Sequence, residues 1–553
     1  MNMAVTYMLE LEQEPATYER YFTQLTKGIN QEIFTWIQTR LSPGQKIMDV
    51  GCGPGTFARL LAEKGCHVVG VDSNPAMIEH NEKAIQQLKT LSISFRLGTA
   101  NDLPNDLGTF DAITSTFMLS ELRYFKQLQF LQSVWRILKD DGHLFIAEEF
   151  EPEGLAKIPF ALRRKWYTLK LRNKHLGVTH PLQFLHNAFS TGFRVVDSKQ
   201  WNGGALRVYE LVKVPTENPI EYNPTPIDAN TIRARWSDFR CLATGQIDHV
   251  PIEPGLYPIG SPNRNSPVIV TANYLLTVHR VLRSMQNQNC WMLVVDSNGI
   301  NVWCAARGNE FGNSQVIEAV VATHLIDKVD TRTLILPQLA AGGVGIPDFP
   351  SGFPFKIKFG PVWASDLPKY LDQSPKIKPQ SMKIAKFSVG KRLEAGFTHS
   401  TFLLRMSLLW PSIMALLLFT GFQWWIGISI IGQIWLTTFI VGMGIALLYP
   451  LTNFTRYFVL KGLLYAVIFG LLAIFVYGHL YNAIWIANPM QIIGIGLLTA
   501  WLSFFATMSF SGYTFETSYR EIAAEYPQFA RIHKLLLVIG LVTFFGALIW
   551  SWF

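Results

Sequence analysis

The sequence predicts an α/β protein with two sheet domains in tandem, followed by an all-α transmembrane domain of five helices. Three observations carry that expectation. A strand, a glycine-rich loop and a helix follow one another over residues 46–64, strand and helix patterns alternate again over 267–336, and from Met406 onward the chain is almost continuously apolar. They divide the 553 residues into a first domain at 1–215, a linker at 216–249, a second domain at 250–400 and a helical domain at 401–553.

Composition points the same way. Charged residues make up 16% of the chain and hydrophobic ones 49%, whereas soluble proteins are about one quarter charged. The net charge of +8 comes with no basic run interleaved with aromatics, so no nucleic-acid partner is expected, and Lys and Arg beside a lipid surface account for the excess. The cysteines, 52, 66, 241, 290 and 304, contain no CxxC pair. Neither a zinc site nor an iron–sulfur cluster is expected, and a reducing, cytoplasmic setting fits. The stretch from Met1 to Arg20 is mixed and acidic, with no apolar signal region.

In the first domain, Lys46-Ile47-Met48-Asp49-Val50 is a short apolar strand running into Gly51-Cys52-Gly53-Pro54-Gly55, and Thr56 to Lys64 reads as a helix. The glycines let a ligand approach the backbone, with a helix N-terminus beyond. A second strand, His67 to Val71, ends in Asp72, where a carboxylate can accept both ribose hydroxyls of a nucleoside. Thr56 makes the pattern GxGxG and not the dinucleotide fingerprint. The run Asp49 to Thr56 with Asp72 resembles the Rossmann-like class I methyltransferases that use S-adenosylmethionine. Gly98-Thr99-Ala100-Asn101-Asp102-Leu103-Pro104 is similar to that family's adenine-binding loop, with Thr99 where many members have aspartate, and Phe110 to Ser115 is similar to its fourth strand. The resemblance implies that Asp49, Gly51, Gly53, Gly55, Asp72, Ala100 and Asn101 bind S-adenosylmethionine. A helix at 125–138, a strand at 142–149 and a hairpin from 193–196 and 205–212 complete the sheet, and 151–188 is a substrate-side insertion. Its basic segments, 163–165 and 170–174, read as a solvated helix face or a dock for an acidic surface. His143, His175 and His180 lack metal-ligand spacing and read as structural.

Proline-rich segments at 214–219 and 223–226 mark an extended linker. Beyond it, strands at 267–271, 291–295 and 333–336 alternate with helices at 273–285 and 315–325, a second α/β sheet. Ala340 to Gly345 lies past a strand end, at the edge where open sheets bind ligands. Past the strand at 291–295, the turn Asp-Ser-Asn-Gly leads to Asn301-Val302-Trp303-Cys304-Ala305-Ala306, which places one cysteine just beyond a strand end. On spacing alone, Cys304 is equally a metal ligand, because thiolates are soft donors, or a core cysteine.

That motif resembles the signature of HgcA, the corrinoid protein family of mercury methylation, and more distantly the corrinoid subunit of the corrinoid iron–sulfur protein. Glu253 to Tyr257, Ser266 to Tyr274, Leu334 to Leu339 and Phe359 to Val362 resemble the same family in the same order. The resemblance implies a cobalt corrinoid of cobalamin type with Cys304 as catalytic residue and metal ligand, and with Asn301, Val302, Trp303, Ala305 and Ala306 around it. Trp303 would exclude water, and the alanines would let the backbone lie under a flat macrocycle. The family's Gly-Lys-Gly-Thr-Phe-Gly is replaced here by Arg307 to Gly312, so its lysine is Gly308. Asp248-His249 fails the Asp-x-His-x-x-Gly pattern of other cobalamin sites, and His279 and His324 read as satisfied structural residues.

Five apolar spans, near 406–422, 425–449, 457–477, 490–510 and 535–552, approach the ~20 residues needed to cross a bilayer. Lys and Arg fall in alternate loops, which puts both α/β domains on the cytoplasmic side of an inner membrane. Gly442, Gly444, Gly494 and Gly496 read as helix-packing positions.

The functional expectation is a membrane-bound corrinoid-dependent methyltransferase. It would methylate its cobalt from S-adenosylmethionine or a folate and pass the methyl to a soft metal such as Hg(II) or to another small acceptor. Its partners would be the lipid bilayer and a ferredoxin-like reductant acting in trans. The alternative is an S-adenosylmethionine-dependent methyltransferase of a small molecule or lipid, with a non-catalytic corrinoid-like scaffold and a membrane anchor. A corrinoid or metal uptake protein is a third class.

Overall fold

The structure, a computed structural model, describes residues 14–162, 182–214, 224–244, 250–407, 438–452, 458–484 and 492–504 apart from short interruptions, together with 6–7, 177–178 and 436. Two helices, α1 (Pro15–Thr26) and α2 (Ile29–Gln38), precede the first sheet. That sheet is built from β1 (Lys46–Val50), α3 (Thr56–Glu63), β2 (His67–Asp72), α4 (Pro75–Ile85), β3 (Ile93–Leu97), β4 (Phe110–Thr116), α5 (Tyr124–Ile137), β5 (Leu138–Glu149), β6 (Phe193–Trp201) and β7 (Leu206–Lys213). The strand order is β3-β2-β1-β4-β5-β7-β6. Strands β1 to β5 run parallel, and β7 is antiparallel to both of its neighbours. The chain moves outward from β1 to β3 and then returns to the other side of β1 as β4. Such a reversal leaves a crevice at the carboxyl ends of the strands.

Buried central strands read as near-continuous apolar runs. In β4, Ala112 and Ile113 are fully buried, and the buried Thr114 is the polar exception, tied to Asp49. Helix α3 buries Phe57, Ala58, Leu61 and Ala62, the spacing of one helical face. Helix α5 differs because a second layer covers its outer side: Leu128, Phe130, Leu131, Ser133 and Val134 are all buried.

That second layer belongs to the second sheet. It comprises α6 (Ile232–Ala243), β8 (Gly255–Ile259), β9 (Val268–Ala272), α7 (Leu275–Ser284), β10 (Cys290–Val295), α8 (Val302–Arg307), α9 (Asn313–Ala322), α10 (Leu325–Lys328), β11 (Thr333–Leu336), β12 (Lys356–Phe359) and α11 (Leu367–Asp372). The order is β8-β10-β9-β11-β12, with β8 antiparallel and the rest parallel. Here β9 has β10 on one side and β11 on the other, which creates a second switch point. Helix α9 packs on α5, and one continuous apolar core joins the two sheets. Within the segment expected as linker, α6 docks by its Asp238 carboxylate, which receives His279 Nδ1 at 2.7 Å and the Arg283 guanidinium from α7. His279 is thus a satisfied structural residue.

The transmembrane expectation is corrected. Among the described residues no helix is long and apolar enough to cross a membrane. The expected span at 457–477 is α13 (Phe458–Ile484), which follows α12 (Val389–Ser407) and a helix at 438–448. Lys461 is buried in the first turn of α13, a charged group inside the expected span. The span at 535–552 lies outside the described residues, as does 406–422 after its first two positions. The five-helix membrane domain, the bilayer as partner and the multi-pass inner-membrane location go with it. Helix packing does use small residues: a Cβ on Gly442 would meet Ser400, one on Gly444 would meet Phe469, and one on Gly496 would meet Ile474. Gly494 lies outside the described residues.

Candidate functional site

The first crevice is organised by backbone geometry that only glycine allows. Gly51 has φ +71, and a Cβ there would stand 2.3 Å from Met118 Cγ. Gly55 has φ +73, and its Cβ would meet Asn81 Oδ1 at 2.7 Å. The loop is pinned from outside: Gly51 N donates to the Val71 carbonyl at 2.8 Å, and Asn81 Nδ2 donates to the Gly53 carbonyl at 2.8 Å. Asp72 Oδ2 accepts Gly53 N at 2.8 Å, and Oδ1 accepts Asn74 N at 2.9 Å. An ionised carboxylate has about four acceptor positions, so both oxygens keep capacity for a ligand's hydroxyls.

Burial raises the Asp72 carboxyl above its usual range, against the pull of the Asn74, Gly53 and Ser73 backbone amides. Asp49 lies deeper. Burial pushes it up to about 7, opposed by the Thr114 hydroxyl, which donates at 2.7 Å, and aided by the negative charge of Asp72. Burial also lifts the neighbouring Cys52 thiol.

A cavity of about 320 Å³ fills this crevice, and Asp49, Gly51, Gly53, Asp72, Ala100 and Asn101 all line it. Gly55 does not; it shapes the entry to α3. The cavity also reaches Met118, Glu121 and Lys126, which the sequence reading missed because they come from β4's following turn and from α5. Asn81 was missed too. It is fully buried on α4 three residues after the buried Ile78, and a polar side chain on a buried helical face is the signal that marks it.

At the second switch point a cavity of about 310 Å³ is lined by Thr271, Tyr274, Asn301, Val302, Trp303 and Trp363, among others. The Thr271 hydroxyl is buried there without a hydrogen-bond partner among the described residues. Asn301 caps α8, its Oδ1 accepting Cys304 N at 3.1 Å. Cys304 is half-buried in the first turn and is not part of the lining. Ala305 and Ala306 are buried, and a Cβ on Gly343 would stand 2.4 Å from the Ala306 carbonyl oxygen. Their small size therefore serves the close approach of α8 to the 338–343 segment. The Arg307 guanidinium stands 4.8 Å from the Trp303 ring centroid. On α12, Glu394 pairs with Arg280 and, with Ala395 and Thr398, closes the cavity's far side. Among the described residues no three His, Cys, Asp or Glu side chains cluster as a metal site.

Behind Cys304, buried Asn273 holds the 296–299 turn. Its Oδ1 accepts Ser297 N, Ser297 Oγ and Gly299 N, each at 2.9 Å, and its Nδ2 donates to the Ile252 carbonyl at 3.1 Å. The two domains meet beside this turn. Tyr124 N donates to Asp296 Oδ2 at 3.3 Å, Arg123 Nη2 donates to Glu310 Oε2 at 2.7 Å, and Lys126 lies 3.7 Å from Glu318. Asn298 Nδ2 also donates to Glu310 Oε2, at 2.9 Å.

With this geometry in hand, likeness to known proteins divides at the domain boundary. Residues 47–142 match the family described as methyltransferase domain. The first α/β domain therefore carries a methyltransferase-type domain. An uncharacterized methyltransferase of Synechocystis is 29% identical over 186 residues, 32% of this chain and 80% of that protein. A TehB-like S-adenosylmethionine-dependent methyltransferase from Corynebacterium glutamicum aligns with 36% of this chain and all of its own, at 19% identity and a TM-score of 0.27.

Residues 240–348 match the CO dehydrogenase/acetyl-CoA synthase delta subunit family. The acetyl-CoA decarbonylase/synthase complex subunit gamma of Methanopyrus kandleri is 36% identical over 136 residues, 24% of this chain and 29% of that protein. The same subunit of Methanocaldococcus jannaschii is 39% identical over 108 residues, 19% of this chain and 22% of that protein. This chain thus spans under a third of the length of the gamma subunits it matches.

The expected membership of the HgcA family is corrected by these matches, and mercury methylation, the soft-metal acceptor and the ferredoxin-like reductant, which rested on it, are withdrawn. The departure after Cys304 has a local physical role here, because Glu310 binds Arg123 of the first domain.

Proposed function

We propose that the chain moves a methyl group from S-adenosylmethionine, held against Asp49, Gly51, Gly53, Asp72, Ala100 and Asn101, to a small-molecule acceptor, and that its second domain carries a corrinoid-type group beside Trp303. The observation that supports the first half is the glycine loop bent over Asp72 at a switch point, with a cavity at its mouth. S-adenosylmethionine supplies a methyl on a positively charged sulfur. The chain's part is to bind and orient: Asp72 receives hydroxyls, the glycine loop admits the donor's chain to the backbone, and Met118 packs over Gly51. Methyl transfer needs no oxidant or reductant.

The second half is supported by the match of residues 240–348 to the CO dehydrogenase/acetyl-CoA synthase delta subunit family and by the cavity at the second switch point. Tyr274, Trp303 and Trp363 offer flat apolar walls, and the unpartnered Thr271 hydroxyl offers a polar contact. Those residues fit a broad macrocycle with polar edge groups. The test is the visible absorption spectrum of the full chain mixed with cobalamin, taken beside the Cys304→Ala variant. A shifted, stoichiometric spectrum that changes in the variant supports the reading, and the spectrum of free cobalamin in both refutes it. S-adenosylhomocysteine binding should be the same in both proteins.

A further inference from the structure

The donor cavity, lined by the first domain, has a neighbour. Glu121 and Leu122 line the donor cavity, and they also line a second, open cavity of about 300 Å³ between the two α/β domains. This interdomain cleft has apolar walls from Leu182, Phe184, Pro251 and Pro254. Its polar groups come from both domains, and most are already committed. Asp296 accepts from Tyr124 N, Asn298 N and Asn273 Nδ2. Gln127 Nε2 donates to the Leu119 and Leu122 carbonyls.

Arg123 carries one of the uncommitted groups. Its Nη2 is held by Glu310, but its Nη1 is buried with no hydrogen-bond partner among the described residues. A guanidinium nitrogen left dry and unpaired costs free energy unless a ligand supplies an acceptor. An oxyanion is the strongest such acceptor, and a planar carboxylate suits a guanidinium edge.

We infer that the interdomain cleft is the acceptor subsite of the methyltransferase and takes a small cyclic or aromatic carboxylate, its carboxylate on Arg123 Nη1 and its nucleophilic end toward the donor cavity past Glu121. The inference rests on the donor reading given above. The acceptor's lone pair forms the new bond to the methyl carbon while the old carbon–sulfur pair stays on sulfur. A proton shed by an oxygen or nitrogen acceptor passes to the Glu121 carboxylate at the junction or to solvent. The cleft exists only because the second domain closes it, which gives that domain a part in acceptor recognition.

The test is calorimetry on the full chain saturated with S-adenosylhomocysteine, titrated with benzoate, phenylacetate and 4-hydroxybenzoate, and with 4-hydroxybenzamide as the uncharged match. At least one carboxylate should bind, the amide should bind at least tenfold more weakly than 4-hydroxybenzoate, and Arg123→Met should abolish that difference. Because Arg123 also docks the domains, Glu310→Gln serves as the second variant: it removes the ion pair, keeps the guanidinium, and should retain carboxylate binding. Phe184→Ala, away from the ion pair, should weaken every acid that binds the parent. Failure of S-adenosylhomocysteine itself to bind overturns the donor reading. If it binds while the acids do not, or if acid and amide bind alike, or if Arg123→Met leaves the preference intact, the acceptor subsite is overturned.

Discussion

At the scale of single residues the donor pocket depends on a few positions that cannot change. Gly51 holds a positive φ under Met118, so Gly51→Ala combines backbone strain with overpacking. The expected loss is roughly 1–3 kcal/mol of stability, together with weaker S-adenosylhomocysteine binding, read by thermal denaturation and calorimetry. Two buried carboxyls make the fold sensitive to pH. Burial pushes both Asp49 and Glu148 up to about 7 from ordinary values near 4. Between those values the folded chain keeps protons that the unfolded chain has lost. Their stabilising contribution is therefore full below about pH 4 and is lost as pH rises through about 7. The melting temperature should fall between about pH 5.5 and pH 8, and Glu148→Gln, whose amide oxygen can still accept Leu119 N, should fall less. An equal fall in the variant would contradict the assignment. The strand–loop–helix turn and the place of Asp72 at a strand end were legible because glycine spacing and strand pattern are written in the chain. The proton affinity of Asp49 was not, since it arises from the burial that the neighbouring strands impose, against the pull of the Thr114 hydroxyl, set 65 residues away.

At the scale of elements, strand–loop–helix alternation placed both sheets, because buried parallel strands and amphipathic helices carry their periodicity in the chain. The C-terminal helices were over-read. Apolar windows mark burial as readily as they mark a bilayer, and the sequence does not say that Gly442 packs on Ser400 or that Lys461 reaches the Tyr449 hydroxyl. The turn at 296–299 shows how an element can hang on one side chain. Asn273→Ala would strip partners from the Ser297 and Gly299 amides at once. Roughly 3 kcal/mol should be lost on denaturant unfolding of the full chain. A loss within about 0.5 kcal/mol, the range of an ordinary surface change, would show that the turn holds itself.

At the scale of the whole molecule the two α/β domains are one packed body, with α5 as the shared element. No local pattern announces this, because Arg123 and Glu310 are 187 residues apart. Both side chains are about 30% exposed, so the pair should contribute only about 0.5–1 kcal/mol in a double-mutant cycle of Arg123→Ala and Glu310→Ala. The shared apolar core carries the rest of the docking. A coupling energy of zero would mean that Glu310 is a bystander and that its replacement of the family pattern has no docking role.

The central claim is that the loop at Gly51–Gly55 and Asp72 form the donor site, and calorimetric titration of the full chain with S-adenosylhomocysteine tests it directly. Saturable binding near one equivalent is predicted for the parent. Asp72→Ala should weaken it by roughly 1–3 kcal/mol, about ten- to hundredfold, because the ribose hydroxyls lose their charged acceptor, while Cys304→Ala should bind like the parent. Unchanged affinity in Asp72→Ala would contradict the account.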